Sequence, residues 1–95
     1  MRDMLRIVSA EPVLLGVLKI AWDDGFEGIV DLRSIMAKGE IFASIRDQEH
    51  FRDVQVESYG HSIFWGEEGN EDVDFGCDRL REIAEQQARL LATAI

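Results

Sequence analysis

The strongest constraint on the fold is the turn Asp23-Asp24-Gly25, which separates two apolar runs of strand length. Asp and Gly tolerate the positive φ angles that tight hairpin turns require, so this tripeptide predicts a β-hairpin. The first arm is Val13–Trp22, and the second arm, Phe26–Asp31, runs antiparallel to it. Pro12 precedes the hairpin and separates it from a short first strand, Leu5–Val8.

Residue alternation predicts a second hairpin farther along the chain. Val54–Glu57 alternates apolar and polar residues, as a half-buried strand does. A turn at Tyr59–His61 leads into a further strand, Ser62–Trp65. The stretch that follows, Gly66–Asp72, is interpreted as a polar, acidic loop.

Short helical segments are expected between the two hairpins. Ser34–Ala37 predicts one helical turn, closed by Gly39. Asp47 is a suitable N-cap for a second short helix that runs through Phe51. The intervening residues, Glu40–Ile45, are expected to be irregular or extended.

From about Asp74 the apolar residues take on a helical period. Asp74 is a candidate N-cap, and Asp78 complements the positive end of a helix. No Gly or Pro follows position 76, which favours an uninterrupted helix to the end of the chain. Its apolar stripe consists of Leu80, Ile83, Ala84, Ala88, Leu91 and Ile95.

These elements predict one α+β domain, with a sheet core over 4–73 and a C-terminal amphipathic helix over 74–94. The sheet is expected to be antiparallel, with four to five strands in two hairpins. Both strand faces carry apolar groups, since Leu18 and Val17 point to opposite faces of one strand and Trp65 and Phe64 to opposite faces of another. The helix covers one face, which leaves the other for the short helices or for a second chain.

The charge of the chain disfavours two classes of partner. Its 95 residues hold 19 acidic and 10 basic side chains, a formal net charge of −9. Nucleic-acid backbones and anionic membranes both repel such a surface, so neither is expected as a partner. The longest mostly apolar run falls short of the ~20 residues that span a bilayer. Cys77 is the only cysteine, which excludes an internal disulfide. No apolar core of signal-peptide length follows the charged start Met1–Asp3, so the cytoplasm is the expected location.

Residue types suited to catalysis are present but do not form a recognised pattern. Asp23 and Asp24 lie at an exposed hairpin turn, where a carboxylate pKa is not raised for acid–base work. His50 and His61 lack the spacing of a structural zinc site. No Gly-rich phosphate loop occurs. The sequence therefore predicts a non-enzymatic protein with no catalytic residue, cofactor or metal.

Several short motifs occur in order along about residues 4–81. They are Arg6–Pro12, Trp22–Leu32, Ile41–Asp47, His50-Phe51, Ile63–Gly66 and Asp72–Leu80. Together they resemble the bacterial domain of unknown function 2442 family (DUF2442). The resemblance implies a small α+β domain around an antiparallel sheet, with Asp31, Arg46 and Asp47 as fold determinants. Some members resemble antitoxin-like partners of a second short protein. Others carry a C-terminal helix-turn-helix, whereas one helix follows Leu80 here, so DNA binding is not expected.

Two functional hypotheses follow. The first is a protein-interaction module that forms a homodimer through the uncovered sheet face or the long helix. The alternative is an acidic, antitoxin-like partner or regulator of a small basic protein, which would dock on the acidic run after the Trp65 strand. The candidate interface residues are Phe64, Trp65, Leu80, Ile83 and Leu91, and the candidate acidic docking residues are Glu67, Glu68, Glu71 and Asp72.

Overall fold

The computed structural model describes residues 5–93, which form two three-stranded antiparallel sheets, three α-helices and one 3₁₀ helix. The predicted α+β class is confirmed, but the prediction of a single sheet with four to five strands is wrong. Sheet A consists of β1 (Ile7–Leu14), β2 (Val17–Trp22) and β3 (Glu27–Asp31), and sheet B consists of β4 (Gln55–Val56), β5 (Ser62–Glu67) and β6 (Asn70–Gly76). The helices are α1 (Arg33–Met36), the 3₁₀ helix (Glu40–Arg46), α2 (Gln48–Phe51) and α3 (Cys77–Thr93).

The first two strands are divided differently from the prediction. The chain reverses at Leu15-Gly16, inside the run Val13–Trp22 that was expected to be one strand. Gly16 has a φ of +86°, which a residue with a side chain rarely adopts. Pro12 lies inside β1 rather than before it, and β1 is an edge strand, where a proline is tolerated.

The predicted hairpin around Asp23-Asp24-Gly25 is confirmed. β2 and β3 pair antiparallel, and the Trp22 backbone N–H donates to the carbonyl of Phe26 across the turn at 2.9 Å. The Asp24 carboxylate accepts a hydrogen bond from the Phe26 backbone N–H at 3.1 Å. The aspartates therefore form the turn, as their residue type indicates.

Three short helices, separated by turns, make up most of the segment between β3 and β4. Helix α1 confirms the short turn expected near Ser34, and α2 confirms the helix capped by Asp47, whose side chain accepts from the His50 N–H at 3.1 Å. The expectation of an irregular or extended stretch before Asp47 is wrong, because a 3₁₀ helix occupies it. Arg46 fixes that helix beside α1 by donating to the carbonyls of Met36 and Gly39 at 2.9 and 2.6 Å.

The stretch Gly66–Asp72 is a hairpin rather than a loop. β5 continues to Glu67, the chain turns at Glu68-Gly69, and β6 begins at Asn70. Asp74 therefore lies within β6 instead of capping a helix, and α3 begins at Cys77. Asp78 lies in the first turn of α3, as expected.

The core lies where α3 and both sheets meet. Leu18, Ile20 and Val30 of sheet A are fully buried, and Gly28 of the same face approaches Ala84 of α3. Ile63 and Trp65 of sheet B join the same apolar cluster, which also includes Ile7, Trp22, Leu32, Met36, Ile45, Phe51, Val73, Phe75, Cys77 and Leu80.

The opposite face of sheet A is polar at its centre. Lys19 is exposed there, pairs with Glu27 at 3.2 Å and lies opposite Glu11 of β1. The expectation of a second apolar face on β2 therefore fails at Lys19, whereas Val17 on the same face is buried. On β5 both faces are apolar, but Phe64 is buried within the chain between Gln55 and Asp74 on the neighbouring strands.

Candidate interaction surfaces

Three of the five predicted interface residues lie inside the protein. Trp65 and Leu80 are fully buried, and Phe64 is nearly so, which makes the prediction wrong for these three. Trp65 stacks on Phe51 with ring centroids 5.5 Å apart, and its indole N–H donates to the Phe51 carbonyl at 2.9 Å. These side chains stabilise the core and do not form a docking surface.

The distal end of α3 is exposed. Ala84 is fully buried and Ile83 half-buried, whereas Leu90 and Leu91 are 65% and 62% exposed. We call residues 86–92 the helix overhang, because α3 here extends past its packing against the sheet. Leu91 is the one predicted interface residue with a largely exposed side chain.

The proximal half of α3 is held by Arg81. Its guanidinium donates two hydrogen bonds to Asp24, at 2.9 and 3.1 Å, and one to Glu85 at 2.7 Å. The same group lies over the rings of Phe26 and Trp22, 4.2 and 5.2 Å from their centroids. Hydrogen bonding from Arg81, followed by that from the Phe26 N–H, lowers the pKa of the Asp24 carboxyl. The overhang therefore projects from a fixed base.

All four predicted acidic docking residues are exposed on the β5–β6 hairpin, which we call the acidic hairpin. Glu68 accepts hydrogen bonds from the N–H and hydroxyl of Ser58 at 3.1 and 2.6 Å, and Glu71 accepts one from the Gly69 N–H. Asp72 lies 3.6 Å from His50 Nε2, a distance just too long for a regular hydrogen bond. The four carboxylates therefore lie on one hairpin, and their side chains are exposed to solvent.

One surface was not found from the sequence. The turn between β1 and β2 reaches the short helices, and two open cavities flank it. The first, about 300 Å³, is lined by Pro12, Val13, Leu14, Leu15, Gln48, Phe51 and Arg52, and the second, about 260 Å³, by Leu15, Gly16, Arg33, Met36, Ala37 and Arg46. We call the two together the hairpin groove. The apolar run before Gly16 is a sequence signal for this groove, but the pattern of that run predicts the interior of a strand.

The side chains with reactive or ligating atoms are dispersed. Burial raises the pKa of the Cys77 thiol, which donates to the Leu5 carbonyl at 3.4 Å. Trp22 lies near this thiol, but its buried indole N–H makes no hydrogen bond of ordinary geometry. Over residues 5–93 no three His, Cys, Asp or Glu side chains are grouped closely enough to hold a metal ion.

The fold determinants implied by the family resemblance have structural partners. Asp31 accepts from the backbone N–H and Nε of Arg33, both at 3.0 Å, and from its terminal nitrogen at 2.8 Å. This pairing lowers the pKa of Asp31. Asp47 caps α2, and Arg46 donates to two backbone carbonyls. Through these contacts each of the three side chains stabilises the local fold.

Comparison with known protein families, with curated proteins and with solved structures finds no match to this chain. The resemblance to the DUF2442 family therefore stays a prediction. None of the helices that the structure describes is both long enough and apolar enough to cross a bilayer.

Proposed function

We propose that this protein is a non-enzymatic interaction module that forms a homodimer through the helix overhang. The observation that carries the proposal is the pair of adjacent exposed leucines, Leu90 and Leu91, on a helix whose first half buries its apolar face in the core. The 17 residues of α3 extend over about 26 Å at 1.5 Å per residue, which is longer than its contact with sheet A requires. The surplus length presents apolar surface to solvent.

A second copy of the overhang is a suitable partner for this surface. The apolar stripe continues from Ala84 through the exposed Ala88 to Leu91, so two overhangs can pack along their stripes. The small side chain of Ala88 lets the two backbones approach closely. A two-fold arrangement brings the same patch of both copies together, as most homodimers do. Burial of each leucine is worth roughly 1.5–3 kcal/mol before the costs of association.

The interface is short, so the dimer is expected to be weak. Two helix ends bury less than the ~1,200 Å² typical of stable complexes. We expect a dissociation constant on the order of 100 µM. Ile95, the last residue of the predicted stripe, lies outside the described residues.

The test is sedimentation equilibrium or light scattering from about 10 to about 500 µM protein. The wild-type chain should shift from monomer toward dimer over this range. Leu91→Glu should remain monomeric, because it places a charge in the interface. Gln86→Glu is the matched control: it adds the same charge at the start of the overhang, but about 140° from Leu91 around the helix and off the apolar stripe, so this variant should still dimerise. A wild-type chain that is strictly monomeric at the highest concentration would refute the dimer.

The acidic hairpin supports a second candidate function, that of an antitoxin-like partner for a small basic protein. The supporting observation is that the four carboxylates lie exposed on one hairpin. Charge pairing of this kind weakens with added salt. A native pull-down of the full chain should then yield one stoichiometric basic protein that a salt gradient releases. Neutral amide substitutions at Glu67, Glu68, Glu71 and Asp72 should reduce its recovery, and unchanged recovery would contradict this candidate.

For both candidate functions we propose a cytoplasmic location.

A further inference from the structure

The hairpin groove combines exposed apolar side chains with a rim of arginines. Val13 and Leu14 are 55% and 52% exposed at the β1–β2 turn, and Leu15 lines both cavities. Consecutive apolar residues exposed beside a concave surface are typical of a site that binds another protein. The groove lies on a different part of the chain from the helix overhang, so it is independent of the proposed dimer.

The charged residues that line the groove are all arginines, although the protein as a whole is acidic. Arg33, Arg46 and Arg52 line the two cavities, and no Asp or Glu lines either one, although the chain carries a net charge of −9. Asp31 neutralises Arg33. Across residues 5–93, Arg46 and Arg52 form no ion pair with a carboxylate. Arg52 is thus available to a partner at the edge of the apolar surface, and Arg46 adds an unneutralised positive charge although two of its nitrogens donate to Met36 and Gly39.

The structure also fixes the position of this surface. A Cβ atom at position 16 would lie 2.6 Å from Arg33 Cγ, so the aliphatic part of Arg33 packs directly on Gly16. The Leu32 N–H donates to the Gly16 carbonyl at 2.7 Å, and Arg46 bonds two carbonyls around α1. The turn and the short helices are therefore held in one arrangement, which reduces the ordering cost of binding.

We propose that the hairpin groove binds an acidic, apolar peptide segment of a partner protein. Apolar side chains of that segment occupy the two cavities beside Leu15, and its carboxylates pair with Arg46 and Arg52. Arg52 suits this role because a guanidinium binds a carboxylate through two parallel hydrogen bonds, whereas Arg46 contributes its charge and its remaining N–H groups. A basic segment is disfavoured at this site despite the overall negative charge of the protein.

The test uses two synthetic peptides and the ¹⁵N-labelled full chain. One peptide alternates glutamate with apolar residues (Glu-Leu-Glu-Phe-Glu-Leu-Glu), and the other has lysine at every glutamate position. The acidic peptide should shift the amide signals of Leu15, Gly16, Met36 and Arg52 saturably. The lysine peptide, which the net charge attracts, should leave these signals unchanged.

Charge reversal provides a matched pair of variants. Arg52→Glu should weaken binding of the acidic peptide about tenfold, because it removes one partner and adds a repulsion. Arg79→Glu makes the same change in net charge at an exposed arginine of α3, which lines a different cavity, and should have little effect. Leu15→Ser should weaken binding as well, through loss of apolar contact. Because Arg52 and Leu15 are not buried, both variants are expected to fold.

Several results would each overturn the proposal, and four of them come from the peptide titrations. They are the absence of saturable shifts, shifts that lie elsewhere, equal weakening by Arg52→Glu and Arg79→Glu, or binding of the lysine peptide at the groove. Concentration-dependent shifts of the groove signals without peptide would assign the surface to a second copy and would also overturn it. The monomeric variant Leu91→Glu should still bind the acidic peptide, which separates this proposal from the proposed dimer.

Discussion

Arg81 of α3 binds the carboxylate of Asp24, which lies 57 residues earlier in the turn between β2 and β3. The two hydrogen bonds join the long helix to the β2–β3 hairpin. The guanidinium also covers the rings of Phe26 and Trp22. One side chain thus connects a helix, a turn and the edge of the core.

We expect Arg81→Gln to lower the melting temperature by about 4–8 °C, the shift that loss of ~1 kcal/mol of cation–π contact produces in a domain of this size. The exposed ion pair alone would contribute less. Arg79→Gln removes the same charge two residues earlier on an exposed position and should change the melting temperature little. Equal shifts in the two variants, measured by circular dichroism, would contradict the role assigned to Arg81.

The stability of the protein should depend on pH through Asp24. Its pKa in the folded state is lowered by Arg81 and the Phe26 N–H, so it lies below the value in the unfolded chain. The stabilising contribution is therefore fully present above the ordinary Asp range and is lost as pH falls through the lowered folded value. We expect Asp24→Asn to reduce stability at neutral pH, with a difference from wild type that shrinks below about pH 4.

Urea denaturation at several pH values measures this difference. The Arg81→Gln background is the control, because Asp24→Asn should then have a smaller effect at every pH. A pH-independent difference between Asp24→Asn and wild type would show that the turn conformation, and not the charge, matters.

Gly28 should not tolerate a side chain. A Cβ atom at this position would lie 3.0 Å from Ala84 Cβ and 3.0 Å from Phe26 Cε2, between β3 and α3. We expect Gly28→Ala to reduce the free energy of unfolding by about 1–3 kcal/mol, the usual cost of overpacking. Gly76→Ala is the matched control, because no atom lies within 4 Å of its Cβ position. An equal loss for both variants, measured by chemical denaturation, would show that β3 and α3 accommodate a methyl group at position 28 without strain.

Cys77 should react slowly in the native protein. The thiol is buried, and burial raises its pKa, so little thiolate is accessible near neutral pH. We expect Ellman's reagent to label native protein at least about a hundredfold more slowly than protein unfolded in urea, because labelling requires local opening. Fast labelling without denaturant would show that the start of α3 opens readily.

The local elements with strong chemical signals were predictable from the sequence. Asp23-Asp24-Gly25 identified its hairpin, Asp47 its short helix, and the apolar stripe its long helix. Two further hairpin turns, Leu15-Gly16 and Glu68-Gly69, are not predicted because their first residues, Leu and Glu, are not typical turn formers and only the glycine has a positive φ. Such turns do not need the Asn-Gly or Asp-Gly pair on which sequence-based prediction relies.

Strand β6 was missed for a related reason. Asp, Asn and Gly are depleted in strands, and the acidic residues Glu71, Asp72 and Asp74 hid the alternation of Val73 and Phe75. Only pairing with β5 reveals it, since Val73 lies opposite Trp65 and Phe75 opposite Ile63. Trp65 itself is buried by packing against Phe51 and Phe75, so it lies in the core and not at an interface.

By itself the sequence determined the α+β class, the helix and the net negative charge, because these depend on local period and composition. Tertiary structure decided which apolar residues are exposed, because burial depends on contacts between distant segments. Phe64 and Leu91 looked equally suited to an interface, yet one is enclosed by the fold and the other extends past it. The hairpin groove likewise exists only where a turn near residue 15 meets helices that begin at residues 33 and 48.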